Sequence, residues 1–475
     1  MPYLAHGGDF PREDVRKDDC MSFGFPELAA IRLGFGLSPR MPAPADAEAV
    51  LASAAQTGPG PQAMTTESAM DMANRFRAAA PLRREGEAQE KEFQQANHGL
   101  MRLPFQDLQR RVARAVDDPV GFGERLVQFW SDHFTVRPLN KVANGLAMAF
   151  VDEAIRPHVN GRFEDMFFAA DTHPMMLIYL DQISSRGPNS PFVRNRPARH
   201  LGLNENLARE ALELHSLGVG AGYDQKDVRE LAELLTGLSF SYKEGFAFKA
   251  VWAEPGAETV LGKSYGSGRR GGLEDIRAAF RDIARHPDTA RHLSRKLAVH
   301  FVSDTPSEDL VDAMAAVWRD SGGDLPQVYR VLVSHPELAS SLRQKVRQPF
   351  DLAVAGLRAL GIRGEQVAGL DIPVLRRALW TPIEAMGQPW GQPKGPDGWP
   401  EEAGAWIAPQ TLAARINWSL RIPRMLLDEL PDPREMLVSA FGGTQSAELA
   451  WAVPKAESAA EGVALILASG DFNRR

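Results

Sequence analysis

Cysteine is almost absent. The single thiol, Cys20, excludes an intramolecular disulfide and any cysteine-rich metal site. No stretch approaches the roughly 18 consecutive apolar residues that a membrane span needs. The opening MPYLAHGGDFPREDVRKDDC lacks a basic region followed by an apolar run, so no signal peptide is read there. A basic excess is missing too. Lys and Arg number 54 against 61 Asp and Glu, leaving a net charge of −7, whereas a broad nucleic-acid footprint requires a basic face. The expectations are no nucleic-acid partner, no membrane and a cytoplasmic location. Residues 1–20 read as a disordered leader or the product of an upstream start, with Met21 opening the folded part.

What is present suits a packed protein. Of 475 residues, 44% are hydrophobic and 24% charged, which is too apolar for disorder and enough for a core without staples. Helical periodicity dominates. The expected fold class is mainly α, packed helical hairpins with one small β-hairpin insertion. The expected organisation is a single helical domain over 21–475, with helical halves 21–236 and 269–475 flanking a β-hairpin region at 237–268. There LSFSYKEGFAFKAVWAE alternates apolar and polar residues around Lys243–Gly245. His-Pro occurs in IARHPDTARHLSRKL and again 49 residues later in LVSHPELASSLRQKV, with a weaker copy at THPMMLIYL. Proline suits the first helical turn and pushes its predecessor out of the helical region, so His173, His286 and His335 read as structural corners.

The stretch NENLAREALELHSLGVGAGYDQKDV (Asn204–Val228) organises the rest. Asn204 is placed to cap a helix, and a glycine-rich break at Gly218, Gly220 and Gly222 ends it. Leu207, Ala208, Ala211, Leu212 and Leu214 share one arc, with His215 near its middle. Glu205, Asn206, Arg209, Glu210 and Glu213 take the other. The helix from Gly121 to Phe134 is built alike: Phe122, Leu126, Phe129 and Trp130 line one face around His133, and Glu124, Gln128 and Asp132 the opposite side.

These stretches carry a resemblance. NENLARE, LELHSLGV and GYDQKDV, with FWSDHFTV, LTGLSF, ARHLSRKLAVHFVSD and the GQP…GWP segment, resemble the signature of a bacterial family known only as domain of unknown function 1800. The resemblance runs from about Ser22 onward. It implies no activity. It does imply a partner, since relatives are encoded beside proteins resembling sulfatases and alkaline phosphatases, and many relatives look exported. Where the family pattern often has His-Asp, this chain has Ala253-Glu254.

Three places suggest chemistry. His133, His215 and His300 each sit mid-face on an apolar helix surface; converging, they would hold zinc or another divalent metal, with Glu210 or Asp181 completing the shell. The opposing expectation is three neutral core imidazoles bonded singly to main-chain oxygen. Asp181 ends the helical run MMLIYLD, where the helix dipole disfavours a carboxylate. Arg209 or the loop Ser184–His200 would compensate. Read functionally, Arg186, Arg194, Arg196 and Arg199 surround an acidic general base and bind an anion; read structurally, a salt bridge pins the loop. The long Pro/Gly loop brings Trp390, Trp399 and Trp406, which suit stacking on a sugar or anchoring of the loop. GKSYG at Gly262–Gly266 lacks the strand–turn–helix context of a nucleophile elbow, and the GKS phosphate-loop spacing is one residue too long.

Two functional expectations follow. The first is an enzyme with a polar cleft on the NENLARE helix, acting on an anionic or carbohydrate substrate, metal-assisted if the histidines meet. Its candidate catalytic groups are Asp181, Glu205, Arg209, Glu210 and Glu213, and its substrate-binding groups Asn204, Asn206, Arg186, Arg199 and Trp399. The second is a non-catalytic helical scaffold binding a sulfatase-like or alkaline-phosphatase-like protein, with an apolar surface patch and no enclosed polar pocket.

Overall fold

The computed structural model describes residues 24–196, 201–266 and 271–475. The expected leader, Cys20 and Arg199 lie outside them. Helices dominate, and strands occur as two small antiparallel hairpins where one was expected. The first pairs Leu238–Ser241 with Gly245–Phe248, and the second pairs Glu258–Val260 with Lys263–Tyr265. No helix among the described residues is long and apolar enough to cross a membrane.

The apolar side chains gather into two large cores. The first runs from Ala29 to Leu338 in sequence and includes Phe122, Trp130, Phe163, Leu207, Leu212 and Trp318. The second takes Phe350 to Phe472 and recruits Phe35, Leu108, Val112 and Val116 from earlier in the chain. The boundary between packed halves therefore falls near residue 340, not at the β region.

One helix belongs to both. Glu87–Asp117 carries Pro104 in its interior. Its first half packs on Thr66–Leu82 around Leu100 and Leu103, and its last turns enter the second core. The chain then turns through Asp118–Gly121 into the helix Phe122–His133. The corner is held by the Asp118 carboxylate, which accepts from the Val120 and Gly121 N–H groups at 3.0 and 2.8 Å. Gly121 is required there: φ is +81°, and a Cβ would come within 3.0 Å of the Phe35 nitrogen.

The His-Pro corners share one construction. His173, His286 and His335 hold extended backbone, as a residue before proline must. In each, imidazole Nδ1 accepts the N–H two residues ahead, at 3.1, 3.2 and 3.3 Å. The histidine thus takes the place of an aspartate or serine cap.

Between the cores lies a buried seam of charge. Asp351 is paired with Arg475, and Arg125 lies 3.7 Å away. Lys345 reaches Asp304 at 2.7 Å and Glu401 at 2.9 Å. Arg475 also donates to the His300 carbonyl at 2.8 Å, and Arg32 to the Val302 and Arg475 carbonyls.

Candidate active site

The helices Glu87–Asp117 and Phe122–His133 diverge from their corner like a V. Near the corner Arg111 Nη1 points to Gln128 Oε1 at 3.5 Å and floors the gap. One turn further out, Asp107 on one arm faces the cavity together with Asp132 on the other. The cavity is about 250 Å³. Trp380, Trp390 and Trp399 wall it, with Asn144, Gln388 and Gln392 among its polar lining. Trp380 ends a widened π-type turn, Arg376–Trp380, a local underwinding frequent at functional sites.

The two carboxylates differ in environment. Asp132 sits under the Pro/Gly loop, and both its oxygens lie 3.1 Å from the Trp399 backbone N–H. Burial pushes its pKa up from 3.8 to about 8. The Trp399 N–H and the Lys296 charge act downward, while Glu401 and Asp397 act upward. Burial thus favours the uncharged form of this carboxyl. Asp107 has the opposite surroundings. Its Oδ1 lies 3.4 Å from both Arg110 and Arg111, and its Oδ2 accepts the Trp390 indole N–H at 3.0 Å. Lys296 is lowered by burial, against the pull of Asp132, Glu401 and Asp397.

Gly398 makes this closure possible. At φ +82° it lies against Asp132, where a Cβ would fall 2.7 Å from the Asp132 carbonyl oxygen and 2.9 Å from its carboxyl. Of the loop tryptophans, Trp406 is buried and anchors the loop, donating to the Pro400 carbonyl at 3.0 Å. Trp390 and Trp399 face the cavity.

The three mid-face histidines do not share a centre. His133 and His215 adjoin, with ring centroids 6.1 Å apart. His133 Nε2 donates to the His215 carbonyl at 3.1 Å, and its Nδ1 has no partner among the described residues. His215 Nδ1 lies 2.9 and 3.2 Å from the two Asp171 oxygens. His300 belongs to the charged seam: Nδ1 donates to Glu401 at 2.6 Å and Nε2 accepts from Arg125 at 3.0 Å. Burial drives His133 well below its ordinary value, and burial drives His300 to about 4, so both are neutral. Glu401, which burial alone would raise, is held well below the carboxylate range by His300 and Lys345. Among the described residues no group of three or more His, Cys, Asp or Glu side chains is arranged to hold a metal ion.

The residues picked around the NENLARE helix do not line the cavity. The helix itself spans Asn206–Glu213 with Glu205, not Asn204, at its N-cap; the Asn204 side chain accepts the Asn206 N–H at 2.9 Å from one residue earlier. The Asn204 amide also donates to the Asp181 carbonyl at 3.1 Å, tying that turn to the helix. Asp181 is exposed, in left-handed backbone with φ 56°, and its carboxylate takes the Ser184 hydroxyl at 2.7 Å. Solvent and Ser184, not Arg209, answer the helix dipole. Arg209 bridges Glu205 at 3.4 Å and Glu213 at 3.2 Å in a half-exposed ladder extended by Gln225. Glu210 is half-buried, and burial raises its pKa. Arg186 spends its donors on the Ile183 and Ser185 carbonyls and stacks 3.4 Å over Trp252, while Arg196 lies over Phe192. The described part of the basic loop is thus pinned to its own backbone and aromatics. Glu254, where the family pattern has a histidine-aspartate pair, accepts from Asn189 twice and fastens that loop to the β region.

Fold and cavity together define a helical protein with a tryptophan-walled cavity lined by two carboxyl groups. The family model described as "Protein of unknown function (DUF1800)" matches residues 29–474, and the chain belongs to that family. No curated protein and no solved structure matches it.

Proposed function

We propose that the chain is an enzyme that cleaves a glycosidic or similar acetal bond in a carbohydrate, with the V-shaped cavity as its active site. The observation that carries this reading is the pair Asp132 and Asp107. One carboxyl is kept protonated by burial and the other is flanked by two arginines, both on one cavity. A carboxyl that burial biases toward its protonated form is suited to act as an acid. Asp132 donates its proton to the departing oxygen. A water adds to the sugar carbon as that C–O bond breaks, and the Asp107 carboxylate faces the positive charge developing there and takes the water's proton, so the glycosidic bond is replaced by a C–OH bond. The tryptophans offer apolar faces to the sugar's C–H surface, while Asn144, Gln388 and Gln392 take its hydroxyls.

The carbohydrate alternative is favoured over the anionic one because none of Arg186, Arg194 and Arg196 lines the cavity. The enzyme reading is favoured over a non-catalytic scaffold for a sulfatase-like partner because such a scaffold has no use for a protonated acid on a polar cavity. The test is a screen of the purified chain for reducing-end release on plant, algal and bacterial polysaccharides, with Asp132→Asn and Asp107→Asn in parallel. Loss of a positioned acid should lower turnover by about 10²–10⁴-fold in Asp132→Asn. An active wild type whose Asp132→Asn variant keeps full turnover would remove the acid from the mechanism.

A further inference from the structure

The floor of the cavity holds more positive than negative charge. Arg110 and Arg111 flank Asp107, each at 3.4 Å. Arg110 continues to Asp152 at 2.7 Å, and Asp152 to Arg156 at 3.4 Å. Arg156 pairs with Glu124 at 2.7 Å, where Arg114 also pairs. This run of contacts joins four arginines to three carboxylates, so one positive charge is unmatched within it. Asp132, across the cavity, does not cancel it, because burial favours its protonated form.

Hydrogen bonding locates that charge at Arg111. Arg156 gives two bonds to Glu124, at 2.7 and 2.9 Å. Arg110 donates to Asp152 at 2.7 Å and to the Gln62 carbonyl at 2.9 Å, and Arg114 to the Gln56 carbonyl at 3.1 Å. Arg111 is only 8% exposed, yet its one acceptor among the described residues is Gln128 Oε1, at a long 3.5 Å. Its Nε makes no hydrogen bond among the described residues. A guanidinium more than nine-tenths buried with its donors unused is costly, and an acceptor of opposite charge relieves that cost. The same guanidinium lines the cavity.

We propose that Arg111 binds the carboxylate of an acidic sugar, so that the substrate is a carbohydrate with a uronic acid residue at the point of cleavage. This rests on the reading of the cavity as the active site. The basic loop brings no cation to the cavity, whereas Arg111 does so from the helix Glu87–Asp117. A planar fork of N–H groups matches a planar carboxylate, and the hydroxyls of a neutral sugar leave the charge unanswered. At about 250 Å³ the cavity is smaller than the roughly 300–1,000 Å³ of pockets for drug-sized ligands, so it takes one ring. Trp390 couples the parts: its indole N–H donates to Asp107 at 3.0 Å, and its ring centre lies 5.4 Å from the Arg111 guanidinium.

The experiment is isothermal titration calorimetry on the full chain with matched pairs: glucuronate and glucose, galacturonate and galactose, mannuronate and mannose. Acetate serves as a bare carboxylate and glucose 6-sulfate as a different anion. In at least one pair the acid should bind about tenfold or more tighter than its neutral partner and than acetate. Arg111→Gln should bring the two members of that pair within about twofold, and Arg111→Lys, which keeps the charge without the fork, should fall between. The wild-type preference is read without any variant, so a poorly folded Arg111→Gln does not shield the proposal. No preference for the acid in any pair would overturn it. So would a preference that survives Arg111→Gln, acetate binding as tightly as the acidic sugar, or glucose 6-sulfate binding more tightly than glucuronate. Binding is measured apart from turnover: acid-selective binding by a chain that hydrolyses nothing would remove the enzyme and keep the subsite, and hydrolysis of neutral glycans without acid preference would do the reverse.

Discussion

At the scale of single residues, the chemistry rests on where Asp132 keeps its proton. Its pKa of about 8 against an ordinary 3.8 means the folded protein holds a proton that the unfolded chain has released. The stabilisation linked to that proton is complete below about pH 4 and is lost as pH rises through about 8. Asparagine at 132 cannot ionise. The melting temperature of Asp132→Asn, relative to wild type, should therefore rise steadily between pH 4 and 8. A difference that stays flat over that range would mean that the carboxyl is not raised. Turnover by an acid of this pKa should fall as pH passes about 8. Asp132 ends the polar row Glu124, Gln128, Asp132, which periodicity places opposite the apolar face of its helix. In fact Glu124 is buried against Arg156 at 2.7 Å, and Asp132 lies under a loop 267 residues away in sequence. Periodicity separates two faces of a helix; it does not say what covers the polar one. The histidines show the converse. Their burial follows from their place on apolar arcs, whereas which oxygen each imidazole meets depends on tertiary partners such as Glu401 and Asp171.

At the scale of elements, local signals were the most legible. The His-Pro corners and the Phe122–His133 helix follow from short-range rules of proline geometry and helical periodicity. The second hairpin, Glu258–Val260 with Lys263–Tyr265, lies inside the expected β region, but its strands are only three residues long, too short for alternation to mark it separately. In the Pro/Gly loop Trp406 anchors the loop, while Trp390 and Trp399 line the cavity. Gly398 is its critical joint. Gly398→Ala places a methyl in left-handed backbone against Asp132, which strains the turn by about 1–2 kcal/mol and shifts the Trp399 N–H from the carboxyl. On the proposed reaction, turnover should fall while the fold persists; equal turnover and unchanged melting would show that the loop does not need this closure.

At the scale of the molecule, two cores meet across buried charge, and that junction cannot be read from composition. Arg32, Arg125, Asp351 and Arg475 come from four distant segments, and nothing in any one of them announces an ion pair. Removing one partner from such a cluster leaves the others uncompensated, at a cost of about 3–5 kcal/mol. Asp351→Ala should lower the urea midpoint accordingly. In wild type, far-ultraviolet circular dichroism and tryptophan fluorescence should trace one coincident transition, because neither half can open without exposing the charges of the seam. Separate transitions by the two probes would mean that the halves are independent.

The splayed arms at Asp118–Gly121 carry a last consequence. Both acidic groups of the reaction proposed here descend from a single bend in the backbone, so their spacing is set within some two dozen consecutive residues. Lengthening or shortening that bend by one residue would rotate one arm about its axis and swing Asp132 away from Asp107. A relative with an insertion there would keep the architecture and lose the chemistry.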